Sequence, residues 1–371
     1  MSAPILIAGA GMTGFSRASG RTSSRVLVEQ AVRAALADAG LDYDLVDRVV
    51  VSHGPATLWA GREAMQGFAA AAVPVADVSA GFVSGSTAFQ LARQAVLSGE
   101  AECALAVGVD TGLAPTGGWL PSYLASALSP VAQRYGLNGL NGQHGLDGLL
   151  ALERCWLAEH WGLGVDDRRL ILARALDGTP ARDPGIGEDR ADEPVWSAGA
   201  AAVLVCSAKF AARYGVRQGI AVLATLTVED FDAQAAVPDL FGRRAIARAV
   251  SRALELAALG PEELDLIELF DVSAEQAVVA CSAALTLEPD QAVRLLAGTL
   301  GRSGHPVIAP SGGMLARGFA PGANGLAQLV ELCRQLRGQA PRHPVDGAQT
   351  ALQQEGGPGG AVAVTVLGLR R

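Results

Sequence analysis

Apolar residues recur every three or four positions in residues 31–41 and then alternate with polar residues up to His53. This pattern predicts an amphipathic helix, a short turn and a strand. The same pattern returns in residues 249–271, and the two segments align without a gap. A gapless internal match over a whole helix–strand unit favours duplication of one half of the chain. Convergent patterning of unrelated helices and strands is the alternative explanation.

The repeat extends beyond this unit. In the first half a Gly/Ser turn and the predicted helix TAFQLARQAVLSG precede the strand ECALAVGVD. In the second half VIAPSGG, a Gly/Pro turn and the predicted helix NGLAQLVELCRQLRG precede the final strand GAVAVTVLG. Each half is therefore predicted to end with a turn, a long helix and a strand. Such repeated units predict a parallel or mixed sheet that is covered by helices.

The region between the halves lacks this repeat. It contains the glycine-rich stretch GLNGLNGQHGLDG and a predicted helix near residues 152–161. Long insertions on a rigid scaffold commonly form lids or partner surfaces. We predict three parts, which are a first half at 1–111 and 196–228, an inserted loop or lid region at 112–195, and a second half at 229–371.

Composition narrows the class of protein. Half of the 371 residues are hydrophobic and 18% are charged, which is typical of a globular chain. The net charge of -8 argues against a nucleic-acid or anionic-membrane partner. No apolar run reaches the roughly 20 residues of a membrane span, and the start PILIAGAG does not have the pattern of a signal peptide. The five cysteines lack CxxC spacing and predict buried free thiols, so we expect a cytoplasmic location.

The opening GAGMTG has the glycine spacing of a dinucleotide-binding loop, at Gly9, Gly11 and Gly14. That site also needs an acidic residue at the end of the next strand. The sequence has none there, so we interpret the stretch as an ordinary first strand. We predict no NAD and no covalently bound cofactor.

Five stretches of the chain resemble the thiolase superfamily, and most closely its sterol-carrier-type branch, the lipid-transfer-protein thiolases. They are IAGAGMTGFSRASGRTSSRVLVEQAVRAALADAGL, VSGSTAFQLARQAVLSGEAECALAVGVD, SAGAAAVLVCSAKFA, APSGGMLARGFAPGANGLAQ and LQQEGGPGGAVAVTVLG. The resemblance implies an α/β thiolase fold of two duplicated βαβαβαββ halves. These would stack as a five-layered α-β-α-β-α sandwich with an inserted loop domain.

The resemblance also places phenylalanine at three positions where the family has catalytic residues. Phe82 stands at the place of the nucleophilic Cys, Phe319 at the His that activates it, and Phe270 at the His that orders a water. The N-terminus of a helix carries a partial positive charge, which stabilises a thiolate. Its backbone N–H groups stabilise the oxyanion that develops when the thiolate attacks a thioester. Phenylalanine cannot form an acyl-enzyme, so we predict that this chain catalyses neither thiolysis nor Claisen condensation. The rings would close the pocket or line it for an apolar ligand.

Backbone N–H groups that line the acyl site are a second feature implied by the resemblance. We expect them at Ser311, Gly312 and Gly313, and in the C-terminal glycine turn at Gly359. That turn, residues 355–360, lacks the second acid/base Cys of degradative thiolases. The ligand that the resemblance implies is a coenzyme A thioester.

Asp271 is the first polar candidate for catalysis. It follows Phe270, and it resembles an Asp of the Cys-less steroid side-chain aldolases, which cleave a carbon–carbon bond of a CoA thioester by acid/base chemistry. Those enzymes have a Tyr where this chain has Phe319. The alternative for Asp271 is the N-cap of a helix over residues 273–284.

Further candidates are a serine and two histidines. A one-residue slip of the alignment would place Ser84 or Ser86 at the nucleophile position, although the local motifs offer no base for it. His305 and His53 lie near predicted strand ends and could approach the cleft. A surface or structural role is the alternative for both histidines.

Superfamily members pair through the strand before the nucleophile helix, here the apolar, alternating residues 73–79. We expect a homodimer, or a heteromer with an active thiolase-like subunit or with an OB-fold/zinc-ribbon protein. The predicted function is acyl-CoA or acyl-carrier binding as the non-catalytic subunit of a thiolase or acyltransferase assembly. The alternative is a Cys-independent CoA-thioester lyase (retro-aldolase) or acyltransferase.

Overall fold

The computed structural model describes residues 4–17, 23–54, 60–68, 73–112, 120–137, 145–177, 196–300 and 306–369. Eleven strands lie within these residues: β1 (Ile5–Met12), β2 (Ser16–Arg17), β3 (Arg48–His53), β4 (Val75–Val78), β5 (Cys103–Thr111), β6 (Ser197–Ser207), β7 (Ile220–Glu229), β8 (Leu266–Glu268), β9 (Val307–Ile308), β10 (Thr350–Gly356) and β11 (Ala361–Leu369).

Thirteen α-helices lie within the same residues. They are α1 (Ser24–Ala39), α2 (Ala60–Ala64), α3 (Ser84–Leu97), α4 (Ser122–Arg134), α5 (Gly145–Trp161), α6 (Val165–Leu176), α7 (Ala208–Tyr214), α8 (Val237–Leu240), α9 (Arg243–Ala257), α10 (Ala274–Leu285), α11 (Pro289–Leu296), α12 (Gly313–Arg317) and α13 (Asn324–Leu336). None of these described helices is long and apolar enough to cross a membrane.

The strand order confirms the duplication. It runs β4-β3-β5-β6-β1 and continues as β7-β11-β10-β8-β9, which is the same order in reverse. The pairing senses also match: β3 is parallel to β4 and β5, and β8 is parallel to β9 and β10. The remaining pairs within each half are antiparallel. The halves join where β1 meets β7, at Leu6–Ala221 and Ile7–Ile220.

The gapless repeat corresponds to matching elements. The two copies are offset by 218 residues. With this offset α1 aligns with α9, and the short 3-10 helix at Tyr43–Leu45 aligns with the one at Pro261–Glu263. The prediction that the second half ends with a turn, a helix and a single strand was wrong, because the structure has two strands after the helix. β10 lies between α13 and the last strand, so β10 is the counterpart of β5, and β11 is the counterpart of β6.

Alternation along the strands builds the predicted five layers. In β1, Leu6 and Ala8 pack against α1 in one core cluster, whereas Ile5 and Ile7 belong to a second cluster that contains α3 and α13. That second cluster takes residues from strands of both halves, so α3 and α13 form the central layer. A third cluster holds α9 and α10 on the outer side of the second half. The order is therefore helix, sheet, helix, sheet, helix.

The region between the halves contributes three helices, α4, α5 and α6. The helix predicted near residues 152–161 is the C-terminal part of α5, which begins earlier. Buried leucines of α4 and α5 join the outer core of the second half. Glu275 on α10 fastens the insertion, because it pairs with Arg154 at 3.3 Å and with Arg168 at 3.4 Å. The predicted domain division stays a prediction, and β7 lies on its first-half side although it pairs with β11 along its length.

Candidate functional site

Three phenylalanine rings from distant segments meet at the N-terminal end of α3. Phe82 lies in a short 3-10 helix, Gly81–Val83, directly before α3. Phe270 follows β8 and Phe319 follows α12. The ring centroids are 5.6 Å apart for Phe82–Phe270, 6.1 Å for Phe270–Phe319 and 6.5 Å for Phe82–Phe319. The three positions that sequence comparison placed in one site therefore do lie together, and we call them the phenylalanine cluster.

The phenylalanine cluster is packed and largely closed to solvent. The exposed fractions of Phe82, Phe270 and Phe319 are 6%, 1% and 1%. Phe82–Phe270 and Phe270–Phe319 are edge-to-face, an arrangement that aromatic pairs favour. Trp196 adds a fourth ring, 5.1 Å from Phe319. The end of α3 is therefore covered by packed aromatic rings.

Ser84, the candidate nucleophile, is used by the turn that precedes α3. Its hydroxyl donates to the carbonyl of Gly81 and accepts from the N–H of Ala80, both at 2.9 Å. The side chain is buried. A serine whose proton is held by a backbone carbonyl has no base to activate it, so this geometry does not support nucleophilic catalysis.

Glu355 lies between the N-termini of the two central helices. Its Oε2 accepts the N–H of Ser86 on α3 at 2.8 Å. Burial raises the pKa of this carboxyl to about 7, opposed by hydrogen bonds from the Ser86 hydroxyl and from the N–H groups of Ser86 and Gly325. Gly325 belongs to α13, so one carboxyl group contacts both helix ends. Its Oε1 has no hydrogen-bond partner among the described residues.

Asp271 contacts a different helix from the one that we considered. The N-cap of α10 is Ser273, whose side chain accepts the N–H of Gln276 at 3.0 Å, so the N-cap alternative for Asp271 at this helix is wrong. Asp271 instead accepts the N–H of Met314, in α12, at 2.9 Å. Both serine and aspartate are good helix caps, so the sequence could not distinguish them. Burial raises the pKa of Asp271 to about 7, partly offset by the Met314 N–H and by the charge of Arg317.

The turn before α12 is built around Asp271. Gly313 has a positive φ of 61°, and a Cβ added there would lie 1.9 Å from Oδ2 of Asp271. Gly312 has a φ of 93° and packs against the carbonyl of Ala175 in the insertion. Only glycine fits both the dihedral angles and the close approach. Ser311 donates to Glu331 on α13 at 2.9 Å.

The other predicted site residues lie elsewhere. Gly359 has a positive φ and packs near Tyr123 and Leu124 of α4. His53 ends β3, where its Nδ1 lies 2.8 Å from the carbonyl of Gly54 and its Nε2 lies 4.0 Å from Asp77. His305 is outside the described residues. Within the described residues no group of three or more His, Cys, Asp or Glu side chains could hold a metal ion.

Two functional candidates were missed because they depend on long-range contacts. Glu355 appeared in the sequence only as the first residue of a glycine turn, and its partner Ser86 is 269 positions away. Arg317 appeared only within the APSGG motif. Glu268 ends β8, two positions before Phe270, and it is buried with both carboxyl oxygens unpaired among the described residues. An isolated acidic residue in an apolar strand was the available signal for it.

Comparisons with known proteins agree with this fold. The profile "Thiolase, N-terminal domain" matches residues 5–112, and "Thiolase C-terminal domain-like" matches residues 228–369. Sterol carrier protein 2 of Homo sapiens is 28% identical over 394 residues, which is 98% of this chain and 71% of that protein.

Solved structures share the fold at low sequence identity. The Ltp2-ChsH2(DUF35) aldolase has a TM-score of 0.76 at 19% identity, covering 99% of this chain and 98% of that one. Human mitochondrial 3-ketoacyl-CoA thiolase in complex with CoA has a TM-score of 0.64 at 16% identity, covering 100% and 98%. The two profiles, a relative that aligns with 98% of this chain and the duplicated halves agree, and the chain therefore belongs to the thiolase superfamily, in its sterol-carrier-type branch.

Proposed function

We propose that this chain binds a CoA thioester, or an acyl-carrier thioester, without forming an acyl-enzyme, and that it is the non-catalytic subunit of a thiolase or acyltransferase assembly. The observation that carries the proposal is the phenylalanine cluster at the end of α3. A helix N-terminus can activate a thiol or stabilise an oxyanion only if the reacting group reaches it. Here Phe82 is the side chain at that end.

The cysteines of the chain support this proposal. All five are free, and Cys155 is the only one that is not buried. Burial raises the pKa of both Cys281 and Cys333 to about 12. Because the thiolate is the nucleophile, such thiols are unreactive near neutral pH.

A thioester ligand is proposed from the family relationship. The human mitochondrial 3-ketoacyl-CoA thiolase structure, which has the same fold, is in complex with CoA. In this chain the N–H of Met314, directly after the turn at Gly312 and Gly313, donates to Asp271 at 2.9 Å. The N–H of Gly312 donates to the carbonyl of Ala309 at 2.8 Å, so it is not available to an acyl group as the resemblance predicted. Aromatic rings beside that turn suit the apolar part of an acyl chain.

A second thiolase-like chain is the proposed partner. β4 is an edge strand, paired with β3 on one side only among the described residues. The neighbouring helix α3 presents Leu91 and Leu97, which are 45% and 37% exposed. An open strand edge next to exposed leucines is a suitable surface for extending the sheet into another subunit.

Activity and assembly can be tested separately. The isolated chain, given acetoacetyl-CoA and CoA, is expected to show no thiolysis, whereas calorimetry with acetyl-CoA shows binding. Leu91→Arg is expected to weaken self-association or pairing with a co-expressed thiolase subunit in analytical ultracentrifugation. Leu256→Arg is the matched control, because Leu256 is 52% exposed on the outer helix α9. Thiolysis by the isolated chain, or a monomer under all conditions, would contradict the proposal.

The alternative is a Cys-independent CoA-thioester lyase, and one pair of observations favours it. Asp271 and Glu355 both have pKa values raised to about 7, which suits general acid/base catalysis at neutral pH. One structure that shares the fold is named an aldolase. This alternative is tested by measuring retro-aldol cleavage of a 3-hydroxyacyl-CoA. It would be established if the wild type cleaves the thioester, Asp271→Asn abolishes the cleavage and the control Asp239→Asn preserves it. The conservative change keeps an acceptor for the Met314 N–H.

A further inference from the structure

Two oppositely charged side chains, Glu268 and Arg317, come shortly before two rings of the phenylalanine cluster in the sequence. Glu268 stands two positions before Phe270, and Arg317 stands two positions before Phe319. The rings of Phe270 and Phe319 contact each other at 6.1 Å. The two chain segments that bring these rings together therefore also bring Glu268 and Arg317 close to each other.

Glu268 and Arg317 attract each other but do not pair. Glu268 is 1% exposed, and the positive charge of Arg317 opposes the burial that raises the pKa of Glu268. Nevertheless, both carboxyl oxygens of Glu268 lack a hydrogen-bond partner within the described part of the chain. The buried Nε and Nη2 atoms of Arg317 also lack one there. Buried polar atoms in folded proteins are almost always satisfied, so unpaired acceptors and unpaired donors in these two neighbouring segments indicate a place for another polar group.

The surrounding charges limit what that group can be. Asp271 and Glu331 also raise the pKa of Glu268, so both carboxyl groups act on the same space. An anionic ligand would be repelled by them, and a cation would be repelled by Arg317. An uncharged hydroxyl suits the space because it can donate to Glu268 and accept from Arg317.

We propose that the gap between Glu268 and Arg317 binds a hydroxyl group carried by the acyl chain of a thioester ligand. This inference rests on the proposed function, because it needs a thioester at the end of α3. Two residues of extended chain span about 7 Å, which is roughly the length of a six-carbon acyl chain. The phenylalanine cluster would contact the methylene groups, and the polar pair would contact the end of the chain.

The test compares hexanoyl-CoA with 6-hydroxyhexanoyl-CoA by isothermal titration calorimetry. The wild-type chain is expected to bind the hydroxylated thioester about tenfold more tightly, since hydrogen bonds to Glu268 and to the charged guanidinium of Arg317 are gained. Glu268→Met and Arg317→Met are expected to reduce this preference to about twofold or less. Glu102→Gln is the matched control, because Glu102 is an exposed acidic residue that pairs with Arg213 at 2.8 Å. It should keep the preference.

A second measurement does not depend on the variants folding. A crystal structure of the wild-type chain with 6-hydroxyhexanoyl-CoA should place the hydroxyl oxygen within hydrogen-bond distance of both Glu268 and Arg317. Equal affinity for the two thioesters overturns this inference and leaves the proposed function intact. If neither thioester binds, both the inference and the proposed function fail.

Discussion

The phenylalanine cluster and the carboxyl groups of Asp271, Glu268 and Glu355 are buried to the same extent. They differ in whether the neighbouring residues provide the contacts that each kind of side chain prefers. The rings each have aromatic partners at 5.6–6.5 Å. The carboxyl groups are 4%, 1% and 1% exposed, and those of Glu268 and Glu355 keep oxygens without hydrogen-bond partners among the described residues. Burial is favourable for the rings and costly for ionised carboxyl groups.

This difference separates two features that a working thiolase site combines. The end of α3 holds the apolar ring of Phe82. The groups around it still titrate near neutral pH, since the pKa values of Asp271 and Glu355 are raised to about 7. In the proposed function the ring excludes a nucleophile from this end of α3, and the polar groups contact the ligand.

Truncating a ring of the phenylalanine cluster tests the apolar side of the comparison and should have the largest effect. Phe319→Ala is expected to lower the free energy of unfolding by about 3–5 kcal/mol, because it leaves a cavity beneath Phe82 and Phe270. Urea unfolding measures this change. Phe231→Ala is the control, since Phe231 is 38% exposed and should lose less than half as much. Equal losses would mean that the cluster is loosely packed.

The carboxyl side of the comparison is tested by pH. The pKa of Glu355 is raised from 4.5 to about 7, so the folded state holds its proton more tightly than the unfolded state. The resulting stabilisation is complete below pH 4.5 and is lost as the pH rises through 7. Glu355→Gln should therefore reduce the fall in unfolding free energy between pH 5 and pH 8 by about 2.5 kcal/mol.

Urea unfolding of both proteins at the two pH values measures the Glu355→Gln effect. The control is Glu102→Gln, because Glu102 is an exposed residue that pairs with Arg213 at 2.8 Å. Surface pairs of this kind contribute little, so its pH dependence should match that of the wild type. An unchanged pH dependence in Glu355→Gln would show that burial does not raise the pKa of this carboxyl.

Removing the hydroxyl of Ser84 should have the smallest effect. Ser84→Ala breaks the two hydrogen bonds to Gly81 and Ala80, which should cost about 1 kcal/mol of unfolding free energy. Binding of acetyl-CoA should stay the same within a factor of about two, since the hydroxyl belongs to the turn. Thermal unfolding and calorimetry measure the two quantities. A large loss of binding with unchanged stability would place Ser84 in the site instead.

The fold was largely predictable because its strongest signal is local and repeated. The helix, turn and strand of residues 31–53 and 249–271 have the same apolar spacing, and both become the same elements in the structure. The meeting of Phe82, Phe270 and Phe319 was also predictable, but only through resemblance to a family whose catalytic residues meet there. No local pattern brings these three segments together.

The polar contacts were not predictable, because they join residues that are distant in the chain. Glu355 meets Ser86 only when β10 lies beside the end of α3. Asp271 and Ser273 are both suitable caps, and only the folded chain assigns Ser273 to α10 and Asp271 to α12. The extra strand β10 was missed because the polar residues Gln353, Gln354 and Glu355 lack the alternation of a surface strand, although all three are buried.

The most direct test of the account is intact-protein mass spectrometry after incubation with acetyl-CoA and with acetoacetyl-CoA. An active thiolase treated in the same way is the positive control. The account predicts that the mass of this chain stays unchanged while the control gains an acyl group, because Phe82 occupies the nucleophile position. An acyl adduct on any residue at the start of α3 would contradict the account.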